Sequence, residues 1–175
     1  MDNEKYDIYV FTISGDIISL LNSMDKLNNG LKQIVQIIKC NSLISIRQLI
    51  ISTYHTLKAF KRKRNIARRP YLELLLRLSG QKQIKDALNT LGVPTEAHEA
   101  CLIVILHENA PNTIQDIITH FKSMNTSIST DIISCFILKE IPERLKNIII
   151  IRKDKPSVIE LEKERIMKSA LIDLL

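Results

Sequence analysis

Ten basic side chains fall between Lys58 and Lys85: Lys58, Lys61, Arg62, Lys63, Arg64, Arg68, Arg69, Arg77, Lys82 and Lys85. Glu73 is the one acid among them, so this stretch carries a local charge of +9 in a chain whose formal net charge is +6. The remainder therefore sums to −3, and the positive charge is concentrated. Concentrated positive charge can neutralise the phosphates of a polyanion. Apolar residues run through the same stretch (Leu57, Phe60, Tyr71, Leu72, Leu74, Leu75, Leu76, Leu78), which predicts a folded element instead of a loose basic tail.

Other chemistry is scarce. The chain has no GxxxxGK[ST] or GxGxxG loop to cradle phosphates, no GxSxG nucleophile and no HExxH pair. His55, His98, His107 and His120 share no metal-ligand spacing with one another or with a cysteine. No metal and no cofactor is expected. His107-Glu108, at the exit of an apolar run, is the one place where a base at a strand end is conceivable; a loop histidine is the simpler reading. Glu160/Glu164 and Glu162/Arg165 fit surface pairing along a helix and do not suggest acid–base work. The residues point to a binding protein and not to an enzyme.

The elements that must position these residues follow from pattern. At 175 residues and 45% apolar content, one domain over 1–175 is expected. Few Gly and Pro predict long regular elements with short connections. Cys40, Cys101 and Cys135 are far apart, odd in number and without a CxxC, and read as reduced thiols of a cytoplasmic protein. No apolar run is long enough to span a membrane. Trp is absent and aromatics are 5%, so no aromatic platform for single-stranded bases stands out.

Strands are predicted at Tyr6–Ile13, Gln33–Lys39 and Cys101–Leu106, the last continuously apolar as for a strand covered on both faces. A short helix is predicted over Ile17–Met24, with Ile18, Leu20 and Leu21 inward. From Ser45 the period becomes helical, with Ile46, Leu49, Ile50, Thr53, Leu57 and Phe60 forming the apolar face. Asn65–Arg69 reads as a connector. Pro70 can open a helix over Tyr71–Leu78, closed by Ser79-Gly80, and Lys82–Leu91 forms another, closed by Gly92. Helices are further predicted at Asn112–Met124 and Ile128–Leu138. Pro142–Asn147 is a short helix or turn, Ile148–Ile151 a brief strand or helix end, and Val158–Leu175 a final helix. That helix carries a second apolar set, Met167, Leu171, Ile172 and Leu175, suited to a protein interface. The expected class is α/β: a small mixed sheet with helices packed on it, helix-rich.

The stretch Asn65–Val93, NIARRPYLELLLRLSGQKQIKDALNTLGV, resembles the signature of the small kinase-binding subunit of the KEOPS complex, the PRPK-binding protein family of archaeal type. Asn65, Ile66, Glu73, Leu75, Leu76, Ser79, Gly80, Lys82, Gln83, Ile84, Ala87, Leu88, Gly92 and Val93 fit its pattern, with a one-residue slip in the leucine pair. The preceding strand and helix and the final ELEKERIMKSALIDLL are similar in layout. Two positions depart: Gln48 stands where many members have His, and Lys82 where many have Arg.

The resemblance implies a single non-enzymatic α/β domain. It would bind the amino-terminal lobe of a small atypical kinase/ATPase and support threonylcarbamoyl-adenosine synthesis in tRNA. It also implies a hold on tRNA at its unpaired 3′ end. On that reading Lys58, Lys61, Arg62, Arg64, Arg68, Arg69, Arg77 and Lys82 contact RNA, and Met167, Leu171, Ile172 and Leu175 contact the kinase. Glu73 is expected to be structural, pairing at i, i+4 spacing with Arg69 or Arg77. Two rivals remain: a protein-only scaffold without RNA contact, and a small nucleotide enzyme centred on His107 and Glu108.

Overall fold

The computed structural model describes residues 4–136. The chain gathers into two compact units, one of Met1–Cys40 with Gly92–Ile132, the other of Asn41–Leu91 with Ile133–Leu175. The predicted helices and strands beyond residue 136, including the final helix with its apolar set, lie outside the described residues.

The first unit is a four-stranded sheet with two helices. Its strands are β1 (Tyr6–Ser14), β2 (Gln33–Lys39), β3 (Glu99–His107) and β4 (Ser127–Ser129), and its helices are α1 (Ile17–Leu27) and α5 (Ile114–Lys122). The strand order is β2-β3-β1-β4, and every pairing among the described strands is antiparallel. β3 is central. It aligns Val104 with Tyr9 on one side and with Val35 on the other. Its residues from Ala100 to Leu106 are all buried, as the unbroken apolar run requires.

Asn28 joins α1 to β2: its amide donates to the Met24 and Val35 carbonyls (both 3.0 Å) and accepts from the Val35 N–H at 2.9 Å. α1 buries Ile17, Leu20 and Met24, while Ile18, expected inward, is exposed. The helix expected over Ile128–Leu138 does not form within the described residues. After a left-handed Asn125 (φ 55°) the chain enters β4, pairs Ile128 with Ile13, and makes a 3-10 turn at Ile133–Cys135. Its Ser and Thr residues, weak helix formers, leave the strand pairing to decide.

The second unit contains α2 (Ile46–Lys61), α3 (Pro70–Ser79) and α4 (Ile84–Leu91). Ser45 caps α2 by accepting the Gln48 N–H at 3.0 Å. α2 turns an unexpectedly polar, small-residue face inward: Gln48, Leu49, Ser52, Thr53, Thr56 and Ala59 are buried. Ile50, assigned inward from the apolar spacing, is 52% exposed. Small side chains let the neighbouring helix approach closely, and the Thr56 hydroxyl is satisfied by the Ser52 carbonyl at 2.8 Å. α3 is buried nearly all round and ends at Gly80, whose left-handed φ of 68° suits glycine.

Cys101 and Cys135 are disulfide-bonded, contrary to the expectation of three reduced thiols.

Candidate nucleic-acid interface

The cationic stretch begins where α2 stops. Arg62 N–H bonds to the Lys58 carbonyl (3.0 Å), Lys63 N–H to Phe60 (3.1 Å) and Arg64 N–H to Ala59 (2.8 Å). The last two are the paired bonds of a Schellman ending, with Lys63 in the left-handed position (φ 55°) that glycine usually fills. Four consecutive cations, Lys61 to Arg64, therefore sit on a backbone tied three ways to the helix end, and all four are exposed. Positive charge there also complements the negative end of the α2 dipole.

The connector that follows is held from below by Glu73. Its Oε2 accepts the Ile66 N–H at 2.9 Å and the Ala67 N–H at 2.8 Å. Its Oε1 accepts Arg77 Nε at 3.0 Å and Nη2 at 2.8 Å. Glu73 and Arg77 are both fully buried, so each charge depends on the other for solvation. Asn65 adds a bond to the Ala67 carbonyl at 2.9 Å. The result is a short loop fixed to the first turn of α3, from which Arg68 and Arg69 project into solvent. Arg69 also donates to the Tyr71 hydroxyl at 2.8 Å, with its guanidinium carbon 5.9 Å from that ring's centroid.

The predicted RNA-binding residues are thus sorted by their surroundings. Lys61, Arg62, Arg64, Arg68 and Arg69 are exposed, Lys58 is half-buried, and all six stand at the end of α2 or on the loop into α3. Lys82 is exposed but follows the other end of α3, about 15 Å away along a ten-residue helix. Arg77 is not a surface residue: it is 0% exposed and committed to Glu73, which removes it from any RNA contact. The pairing of Glu73 with Arg77 is as the i, i+4 spacing predicted.

Gln48, the departure from the resembled pattern, has a structural task. Its Oε1 accepts the Ile44 N–H at 3.0 Å and its Nε2 donates to the Leu78 carbonyl at 2.7 Å. This ties the start of α2 to the end of α3, so the two helices run antiparallel.

Sequence reasoning passed over the apolar residues on this unit's surface. Ile50, Tyr54, Ile66, Ile84 and Leu88 are exposed, and only Ile18 among the large exposed hydrophobics described belongs to the first unit. The signal was available in Ile84 and Leu88, an i, i+4 pair on a helix whose buried residues are Ala87 and Leu91.

The strand-exit histidine is held by its neighbours. His107 Nδ1 accepts the Asn109 N–H at 3.0 Å, and its ring meets Tyr6 edge-on at 4.9 Å. Burial, then the nearby Glu4 carboxylate, push the Tyr6 hydroxyl's pKa up. Among the described residues no group of three His, Cys, Asp or Glu stands close enough to hold a metal ion. No helix among them is long and apolar enough to cross a membrane.

A family profile described as kinase binding protein CGI-121 matches residues 16–168. The chain belongs to that family. The match takes in both units and extends well past the described residues. Comparison with curated proteins returns no match. Membership in the CGI-121 family makes a protein kinase the partner class to which the chain's surfaces must answer.

Proposed function

We propose that this CGI-121 family member is a non-catalytic accessory subunit of a KEOPS-type assembly of archaeal kind, acting in the cytoplasm as one domain over 1–175. It binds tRNA through its cationic loop, binds a small atypical kinase/ATPase, and so supports threonylcarbamoyl-adenosine modification while the partner does the chemistry.

The observation that carries the RNA half is the tethered cationic run from Lys58 to Arg69. Seven cations on a backbone fixed by the Schellman ending and by Glu73 meet a phosphate chain with little ordering left to lose. The contacts would position the RNA without reading its sequence. Ile66 lies exposed within the same loop, and Lys82 precedes the exposed Ile84 and Leu88 on α4, which supports contact with unpaired nucleotides such as a tRNA 3′ end.

The kinase half is supported by the family description, and its expected contacts, Met167, Leu171, Ile172 and Leu175, lie outside the described residues.

The test is tRNA binding across a salt series. Arg62→Glu/Arg64→Glu is expected to weaken binding at least about tenfold and to lower the salt slope by about two. Unchanged affinity with an unchanged slope overturns the RNA reading and leaves a protein-only scaffold. On the kinase side, Leu171→Asp/Ile172→Asp should abolish co-elution with the kinase while tRNA binding persists; retained co-elution overturns that assignment.

A further inference from the structure

We propose that Tyr54, with Ile50 one turn before it, is a stacking site for an unpaired nucleobase of the bound RNA, an inference that rests on the RNA reading above. Tyr54 is the one aromatic among the large hydrophobics exposed in the described residues, at 58%, and Ile50 beside it is 52% exposed. Both lie on the outer face of α2, where Arg47, Ile50, Tyr54, Lys58 and Lys61 recur at i, i+3 and i+4 intervals. No carboxylate occurs anywhere in α2. The face is therefore apolar at its middle and cationic at both ends.

Three further observations favour an RNA base over a phosphate alone or an acidic peptide. Lys58 Nζ lies over one face of the Tyr54 ring, 5.3 Å from its centroid, which keeps a positive charge beside the ring for the phosphate of a nucleotide whose base stacks on the opposite face. His55 meets the same ring edge-on (5.6 Å, 73°) and buttresses its orientation. The antiparallel path of α2 against α3, fixed by Gln48 and Leu78, runs the face from the end of α3 that carries Lys82 to the end that carries Arg68 and Arg69. A strand lying along α2 would touch both cationic ends and pass Tyr54 midway. Phosphates gain nothing from Ile50 and a tyrosine ring, whereas any base has a π-face to offer them.

The experiment uses the full chain and tRNA carrying 2-aminopurine at successive positions of its unpaired 3′ tail, with a tail-less tRNA as control. Tyr54→Ala is expected to weaken binding of tailed tRNA about tenfold, the usual scale for one base–aromatic stack. It should also abolish fluorescence quenching at one tail position, and Tyr54→Phe should restore both. Tail-less tRNA should bind wild type and Tyr54→Ala alike. Since Tyr54 is exposed, the melting temperature should stay near wild type. Unchanged affinity and quenching in Tyr54→Ala, with tRNA still bound, overturns the stacking site and leaves the cationic loop standing. No binding of either tRNA by the wild type removes the RNA reading itself.

Discussion

The two units of this chain solve opposite problems. Within residues 4–40 and 92–132, five basic and nine acidic side chains surround a sheet whose central strand is apolar end to end. Within 41–91, eleven basic residues face two acids, and one of those acids, Glu73, is buried. The first unit is organised by hydrophobic pairing, the second by polar ties that hold surface charge in place: Gln48 at one end of α3, Glu73 with Arg77 at the other. A molecule can carry an adhesive cationic surface and still fold when the repelling charges are anchored through their backbone instead of through each other.

The sharpest way to break that contrast is to cut the anchor. Glu73→Leu takes the carboxylate away from the buried Arg77 guanidinium, and a loss of about 3–5 kcal/mol in denaturant unfolding is expected. Hydrogen exchange should show the Ile66 and Ala67 amides exposed while the β3 amides stay protected. Glu73→Leu/Arg77→Leu should recover much of the loss, because a buried ion pair is replaceable by apolar packing more readily than it is breakable. A single mutant as stable as wild type would show that the anchor is not what holds the loop.

The counterpart in the first unit is the start of α5. Thr113 and Asp116 form a reciprocal cap, with Thr113 N–H to Asp116 Oδ2 at 2.7 Å and Asp116 N–H to Thr113 Oγ1 at 3.3 Å. Thr113→Ala is expected to remove about 1 kcal/mol of stability. The bond from the Thr113 N–H, then that from its hydroxyl, holds the Asp116 carboxyl below its ordinary 3.8. A carboxyl lowered on folding stabilises the fold fully above its unfolded pKa and loses that contribution as pH falls through the folded one. An NMR acid titration should therefore show the first turn of α5 loosening only below pH 3.8 in the wild type, with Asp116 titrating nearer its ordinary value in Thr113→Ala.

The smallest effect expected is a gain. Lys63→Gly relieves a left-handed lysine and should raise stability by about 0.5–1 kcal/mol in thermal unfolding, while weakening tRNA binding slightly through the lost charge. A fall in stability would mean that the Lys63 side chain makes a contact the backbone strain was tolerated for.

Much of this was legible in the residues. β2 was bounded at Gln33 and Lys39 by its own pattern, β3 announced itself by continuous apolar content, and Gly80 and Gly92 marked helix ends, Gly80 because few other residues tolerate its left-handed backbone. The i, i+4 spacing offered Glu73 two partners, Arg69 and Arg77, and the structure pairs it with Arg77. What could not be read was direction. The apolar count put Ile50 inward, but close helix packing favoured Ser52 and Thr56, whose small size no hydropathy pattern rewards. The same count made a helix of Ile128–Leu138, where pairing of Ile128 with Ile13, more than a hundred residues away, prevailed. Charge density located the candidate site, yet it could not tell that Arg77 was spent internally or that Lys82 stood a helix length from its fellows.

Had α2 simply continued, Lys61 to Arg64 would spiral around a cylinder, one charge every 100°. The reversal of backbone hand at Lys63 breaks that screw and splays neighbouring side chains like the fingers of an opened hand. Such a spread presents charge to an anionic chain arriving from many angles, as the proposed hold on RNA would require.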